Sequence, residues 1–236
     1  MAIFSDGFES GDFSAWTSTT GSPTVQNSIK HHDTYAMRVA GSNVGSSDYA
    51  SKSITFTEVN PRYLRFYMYF DALGDEDYTG ALCGIYWYGS CLGGCILRWD
   101  GSKNVLTLVY SDNSGNDGAT ALQEHTWYCI EVVQYGGTGD GYVKIYLNGI
   151  LEAENTGLTE TNTPLSVRVG ILHDYKGAII CFDCVVVADA YIGPEAAGGP
   201  TVKKGSSLVN TMTEMLNSKM LFSACNRFPK LVPRRF

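Results

Sequence analysis

The feature that most constrains this chain is its rhythm. From residue 35 to residue 190, apolar and polar residues alternate in short runs that end at Gly, Asn, Asp or Ser. A period of two puts alternate side chains on opposite faces of a strand, whereas an amphipathic helix needs a period near ~3.6. The pattern predicts strands at YAMRVA (35–40), SKSITFT (51–57), RYLRFYMYFD (62–71), GALCGIYWY (80–88), GCILRWD (94–100) and NVLTLVYS (104–111). It predicts others at TWYCIEVVQYG (126–136), GYVKIYLN (141–148), ILEAEN (150–155), SVRVGILH (166–173) and AIICFDCVVVADA (178–190). Asp100-Gly101 and Asn148-Gly149 lie between such runs and supply the positive φ of tight hairpins. Eleven short strands with this punctuation predict an all-β sandwich or jelly roll of two antiparallel sheets. The 26 glycines, 12% aromatic and 17% charged residues agree with that class.

After YIGP (191–194) the texture changes, so a β domain is predicted over 1–195 and a separate arm over 196–236. EAAGGPTVKKGSS reads as a linker. SLVNTMTEMLNSKMLFSA reads as one amphipathic helix with Ser206 or Ser207 as N-cap. Leu208, Met212, Met215, Leu216 and Met220 share one stripe of that helix, and a basic, proline-punctuated end follows. Residues 1–197 carry 10 Lys and Arg against 23 Asp and Glu, a net of −13. Residues 198–236 carry 7 Lys and Arg against Glu214 alone, a net of +6. An acidic body argues against nucleic acid as its partner. A cationic arm with a methionine-rich stripe instead predicts docking on acidic neighbours, either copies of this chain or other subunits of a large assembly, the alternative being that the helix packs on its own body.

MAIFSDGFES has neither a basic start nor an apolar stretch, so no secretion signal is expected. The longest apolar run, AIICFDCVVVADA, is interrupted by Asp183, and no membrane partner is expected. Seven cysteines stand at 83, 91, 95, 129, 181, 184 and 225. CLGGC and CFDC lack a second pair at zinc-site spacing. Cys91 and Cys95 are spaced to close a small loop, whereas Cys181 and Cys184 should face opposite sides of a strand. Buried free thiols are the alternative reading.

DGFESGDFSAW, HTWYCIEVV, GYVKIYLNGILEAE, SVRVGI and AIICFDCVVVADAYIGP follow one another across about residues 3–194. In that order they resemble a concanavalin A-like lectin/glucanase domain of the laminin-G-like kind. The resemblance implies two antiparallel sheets in a jelly roll, with a face that binds or cleaves glycans in many members. It also implies a structural calcium joining an acid on the last strand to the start of the chain. Here that acid would be Asp183, with Asp6 and Glu9 as further oxygen donors. The alternative is that Asp183 bonds to backbone amides and pins the chain ends without metal.

Glycosidases need two carboxylates at a set separation. The E-x-D-x-E strand motif of the glucanases is absent, Glu152 and Glu154 lack a third acid, and Glu131 stands alone. The Arg, Gln-x-His and Tyr/Lys signatures of the lyases of this fold are not found either, so the chain is expected not to be an enzyme. His31, His32, His125 and His173 read as surface or capping residues. Sugar binding has better material, because flat rings stack on the apolar faces of sugars. Tyr67, Tyr69, Trp87 and Trp99 are the expected glycan-binding residues, against the alternative that such rings fill the sandwich core. Together these readings predict a non-catalytic structural protein of a large assembly, a virion component such as a capsid decoration, tail or head-fibre protein. Its place would be the virion or another extracellular surface, its lectin-like jelly roll would contact surface glycans, and its arm would hold it in position. The alternative is a free carbohydrate-binding module or a degenerate polysaccharide-active enzyme.

Overall fold

The computed structural model describes residues 1–41, 47–54, 56, 61–74, 80–87, 90–111, 113–173 and 177–195. These residues contain strands and no helix. In chain order the strands are β1 (Ala2–Asp6), β2 (Ser18–Thr20), β3 (Thr24–Gln26), β4 (Ala36–Ala40) and β5 (Asp48–Ser53). They continue with β6 (Arg62–Leu73), β7 (Gly80–Trp87), β8 (Ser90–Trp99), β9 (Asn104–Tyr110) and β10 (Asn113–Asp117). The last are β11 (Trp127–Tyr135), β12 (Gly137–Leu147), β13 (Ile150–Glu160), β14 (Ser166–His173) and β15 (Ala178–Ala188). One sheet runs β13-β12-β11-β6-β15-β4-β3, with β1 also paired to β15, and the other runs β10-β9-β8-β7-β14-β5-β2. The expected all-β sandwich of two antiparallel sheets is present. The arm residues Leu208, Met212, Met215, Leu216 and Met220 lie outside the described residues.

Alternation builds the core. Leu64, Phe66, Met68 and Phe70 of β6 point inward at 0% exposure, as do Ile130 and Val132 of β11 and Val143 and Ile145 of β12. They meet Ile85, Leu97, Leu108, Val167, Val169 and Ile171 from the opposite sheet. Each such side chain stabilises the fold by about 1.5–3 kcal/mol through its removal from water. Asn148 (φ 51°) and Gly149 (φ 81°) close the β12–β13 hairpin as the sequence predicts.

Two departures have local causes. The strand predicted from residue 51 starts earlier and spans Asp48–Ser53, where it pairs with β14, while residues 55 and 57 of the prediction lie outside the described residues. In β15 the period of two breaks at a bulge between Asp183 and Val186, where Cys184 takes φ 50°. Phe182 and Val185 consequently both face the core, three positions apart.

The opening segment places its rings inward and its carboxylates on the backbone. Phe8 is fully buried and stacks on Trp16 at 5.8 Å. Asp6 accepts the Phe8 backbone N–H through Oδ1 (3.0 Å) and the Trp16 indole N–H through Oδ2 (2.6 Å). Glu9 accepts the N–H groups of Thr34 and Tyr35, which ties the opening loop to the segment before β4.

Candidate carbohydrate-binding face

β6, β11 and β12 are neighbours in the first sheet, and each buries every second residue in the core. The intervening residues share the outer face. These are Tyr63, Arg65, Tyr67 and Tyr69 on β6, Trp127, Cys129, Glu131, Val133 and Tyr135 on β11, and Tyr142, Lys144 and Tyr146 on β12. The register sets Tyr69 beside Trp127, Arg65 beside Glu131, Glu131 beside Tyr146 and Tyr135 beside Tyr142. One side of the sheet thus carries aromatic residues on all three strands, with Arg65 and Glu131 at its centre.

At that centre Glu131 is 1% exposed and Arg65 4%. The Glu131 oxygens accept the backbone N–H groups of Ile192 (2.9 Å) and Gly193 (2.8 Å), which draws the segment after β15 across the face. Burial pushes the Glu131 carboxyl upward, and the two amides and the Arg65 charge oppose that shift. Both oxygens are engaged, so Glu131 acts as the clamp of this segment. Tyr191 of the same segment is exposed and stands edge-on to Tyr146 (5.7 Å) and Tyr63 (6.5 Å).

Tyr63, Tyr135, Tyr142 and Tyr146 surround this clamp, half-buried. The rings of Tyr135 and Tyr142 lie 5.3 Å apart. Lys144 pairs with Glu154 at 3.0 Å, and its Nζ lies 5.2 Å from the Tyr142 ring centre. Its hydrogen bond to Glu154 raises the Lys144 pKa, so the ammonium is held charged. Burial raises the phenol pKa values of Tyr63, Tyr142 and Tyr191. At neutral pH these hydroxyls are uncharged and both donate and accept hydrogen bonds.

On the other side of the clamp the rings are stacked more deeply. His31 lies 3.7 Å above Tyr67 and His32 lies 4.3 Å above His31, while Trp127 meets His31 edge-on at 5.3 Å. The loop that carries the histidines is anchored by Asp183, whose Oδ2 accepts the N–H groups of His31 (2.9 Å) and His32 (3.1 Å). Its Oδ1 accepts the Cys184 N–H (2.6 Å). Asp183 is 1% exposed, and burial pushes its pKa up to about 6 against the pull of those amides.

The expected glycan residues do not form one platform. Tyr67 and Tyr69 lie on β6 in the first sheet, but Trp87 and Trp99 belong to β7 and β8 in the second. Tyr67 is covered by His31, whereas Tyr69 and Trp99 are half-exposed, and the Tyr69 hydroxyl lies 3.2 Å from His125 Nδ1. The side chain of Trp87 lies outside the described residues. The residues missed are Tyr63, Trp127, Tyr135, Tyr142 and Tyr146. Their signal was the alternation of RYLRFYMYF, WYCIEVVQY and GYVKIYL, which puts them on one parity of each strand.

Asp6, Glu9 and Asp183 do not fit a single shared calcium as they stand. A calcium ion takes its ligands from oxygens turned toward one point. Here each carboxylate is turned onto N–H groups, which occupy the positions a cation would need. Asp183 does accept backbone amides, but those of His31, His32 and Cys184 and not of the opening segment. His31, His32 and Cys184 bring donor atoms within 4.8 Å of one another. The two imidazole planes are only 4° from parallel, however, so their in-plane lone pairs do not converge on one ion.

Two antiparallel sheets packed face to face form a β-sandwich consistent with a jelly roll of the concanavalin A-like kind. Among solved structures, the chain is similar to Cellulose induced protein, Cip1, with a TM-score of 0.60 and 16% identity over 81% of this chain and 100% of that one. It is similar to the alginate lyase vAL-1 from Chlorella virus, with a TM-score of 0.56 and 12% identity over 79% of this chain and 99% of that one. The receptor binding domain of botulinum neurotoxin type G gives a TM-score of 0.53 and 11% identity over 79% of this chain and 47% of that one. No protein-family model and no curated protein matches the sequence. The expectation that the chain is not an enzyme is overturned. An alginate lyase shares its fold, so the fold is compatible with catalysis.

Proposed function

We propose that this protein binds carbohydrate, and that a neutral glycan chain lies along the tyrosine-lined outer face of β6, β11 and β12. The observation that carries the reading is the placement of Tyr63, Tyr69, Trp127, Tyr135, Tyr142 and Tyr146. All are half-buried on one outer face while their strand neighbours fill the core. Rings held this way offer flat apolar area to a sugar at little entropic cost, and their hydroxyls meet its polar edge. Similarity in fold to Cip1 and to an alginate lyase supports the class of ligand.

Charge supports a neutral glycan over a uronate. Residues 1–197 carry 10 Lys and Arg against 23 Asp and Glu. Of the two cations on the face, Lys144 is paired with Glu154 and Arg65 is buried. Titration calorimetry with neutral β-glucan and alginate oligosaccharides tests the proposal. Binding of the neutral oligosaccharide is expected, weakened about tenfold by Tyr142→Ala or Tyr146→Ala and unchanged by Trp99→Ala on the other sheet. Binding that both tyrosine variants leave intact would overturn it.

The finer reading, a virion or other surface assembly, rests on the contrast between the acidic body and the cationic arm 198–236 with its stripe Leu208, Met212, Met215, Leu216 and Met220. In that reading the arm docks on a neighbouring subunit and leaves the aromatic face free for sugar.

A further inference from the structure

We propose that Cys83 and Cys95 form a cross-strand disulfide that locks β7 to β8 inside the sandwich. The two residues are direct partners in the β7–β8 ladder, and their sulfurs are 3.2 Å apart. Direct antiparallel partners hold their Cα atoms about 4.5–5.5 Å apart. That separation falls within the about 4.4–6.8 Å that a disulfide spans. Bond formation therefore asks for side-chain rotation and no displacement of a strand.

Alternation identifies the partner. Cys83 and Cys95 both face the main core, at 2% and 0% exposure. Cys91, which the CLGGC spacing offered as the partner of Cys95, packs instead with Tyr86 and Leu172 in a separate cluster. Its sulfur lies over the two backbone glycines between the strands, where a Cβ on Gly84 would come within 2.7 Å of it and one on Gly94 within 3.0 Å. The sheet stands between Cys91 and Cys95.

In the reaction the two thiols lose two protons and two electrons. A low-molecular-weight disulfide accepts both and departs as two thiols. Exchange starts from a thiolate. Burial, together with the hydrogen bond to Cys95, pushes the Cys83 thiol well above its ordinary range, so Cys83 offers almost none in the folded protein. The bond forms while the chain is folding, and closure of the core then shields it from reductant.

The test is refolding of the full chain in a buffer of oxidised and reduced glutathione, followed by alkylation in denaturant and mass spectrometry of chymotryptic peptides. Cleavage after Tyr86 and Leu92 separates the three cysteines. The expected product is a Cys83–Cys95 linked pair, two hydrogens lighter than the sum of its peptides, with Cys91 alkylated. The oxidised protein should melt about 5 °C or more above the reduced one, and should keep the bond in reductant until urea is added. Cys91→Ala should preserve the link, and Cys95→Ser should leave Cys83 fully alkylated. Alkylated Cys83 and Cys95 after oxidative refolding, or a link through Cys91, would overturn the proposal.

Discussion

At Asp183 a carboxylate lies under the His31–His32 loop with three backbone amides on its oxygens. Burial still dominates and raises its pKa from 3.8 to about 6. The sign follows from linkage, since the folded state holds this proton more tightly than the unfolded chain does. The stability the proton contributes is complete below pH 3.8 and is lost as the pH rises through about 6. Two units correspond to about 3 kcal/mol between pH 4 and pH 7. Asp183→Asn keeps an acceptor for His31 and His32, sets an amide against the Cys184 N–H at a cost of about 1–3 kcal/mol, and removes the titration. Urea unfolding across pH 4–7 is expected to show a stability difference, wild type minus variant, that shrinks with rising pH. Parallel profiles for the two proteins would show that the carboxyl is not titrating there.

Among the elements, the β12–β13 hairpin is coupled to the segment that crosses the aromatic face. Gly149 sits at φ 81°, and a Cβ there would meet Pro194 Cγ at 3.0 Å and Cδ at 3.1 Å. Pro194 follows the two amides held by Glu131. Gly149→Ala is therefore expected to strain the turn by about 1–2 kcal/mol and to push the crossing segment outward. A lowered melting temperature with increased proteolysis between residues 189 and 195 is the expected readout, whereas Gly101→Ala, with no atom within 4 Å of the added Cβ, should strain only its own turn. This coupling was not legible in the sequence, although the turn was. Eleven strands could be read because alternation survives in a single segment. β2 could not, because STT is exposed along its whole length and has no buried parity. The β15 bulge was hidden because AIICFDC is a nearly unbroken apolar run with no glycine to mark the break. The aromatic face was half legible for a related reason. Parity shows which residues of one strand share a side, but Tyr69 meets Trp127 only through a pairing of β6 with β11 that no local pattern encodes. The grouping of Trp87 and Trp99 with Tyr67 and Tyr69 has the same origin, since consecutive strands β6 and β7 enter different sheets.

On the scale of the whole molecule the charge is segregated, with 23 acidic residues in 1–197 and seven Lys and Arg in the last 39 residues. Two attractions of different physical kind would act if the arm docks on a neighbouring body. The charge term is screened over about 8 Å at physiological ionic strength. Burial of the stripe Leu208, Met212, Met215, Leu216 and Met220 is insensitive to moderate salt. Light scattering on the full chain, on a 1–197 truncation and on a Met212→Ser/Met215→Ser/Leu216→Ser variant separates them. The full chain is expected to form particles of defined mass that loosen in part as salt rises, while the truncation and the triple variant remain monomeric. Oligosaccharide binding at Tyr142 and Tyr146 should be the same in all three, because that face belongs to the body. Monomers in every sample would remove the assembly reading and leave the glycan proposal standing. Loss of sugar binding on truncation would instead mean that the arm contributes to the face, and that the two functions are one.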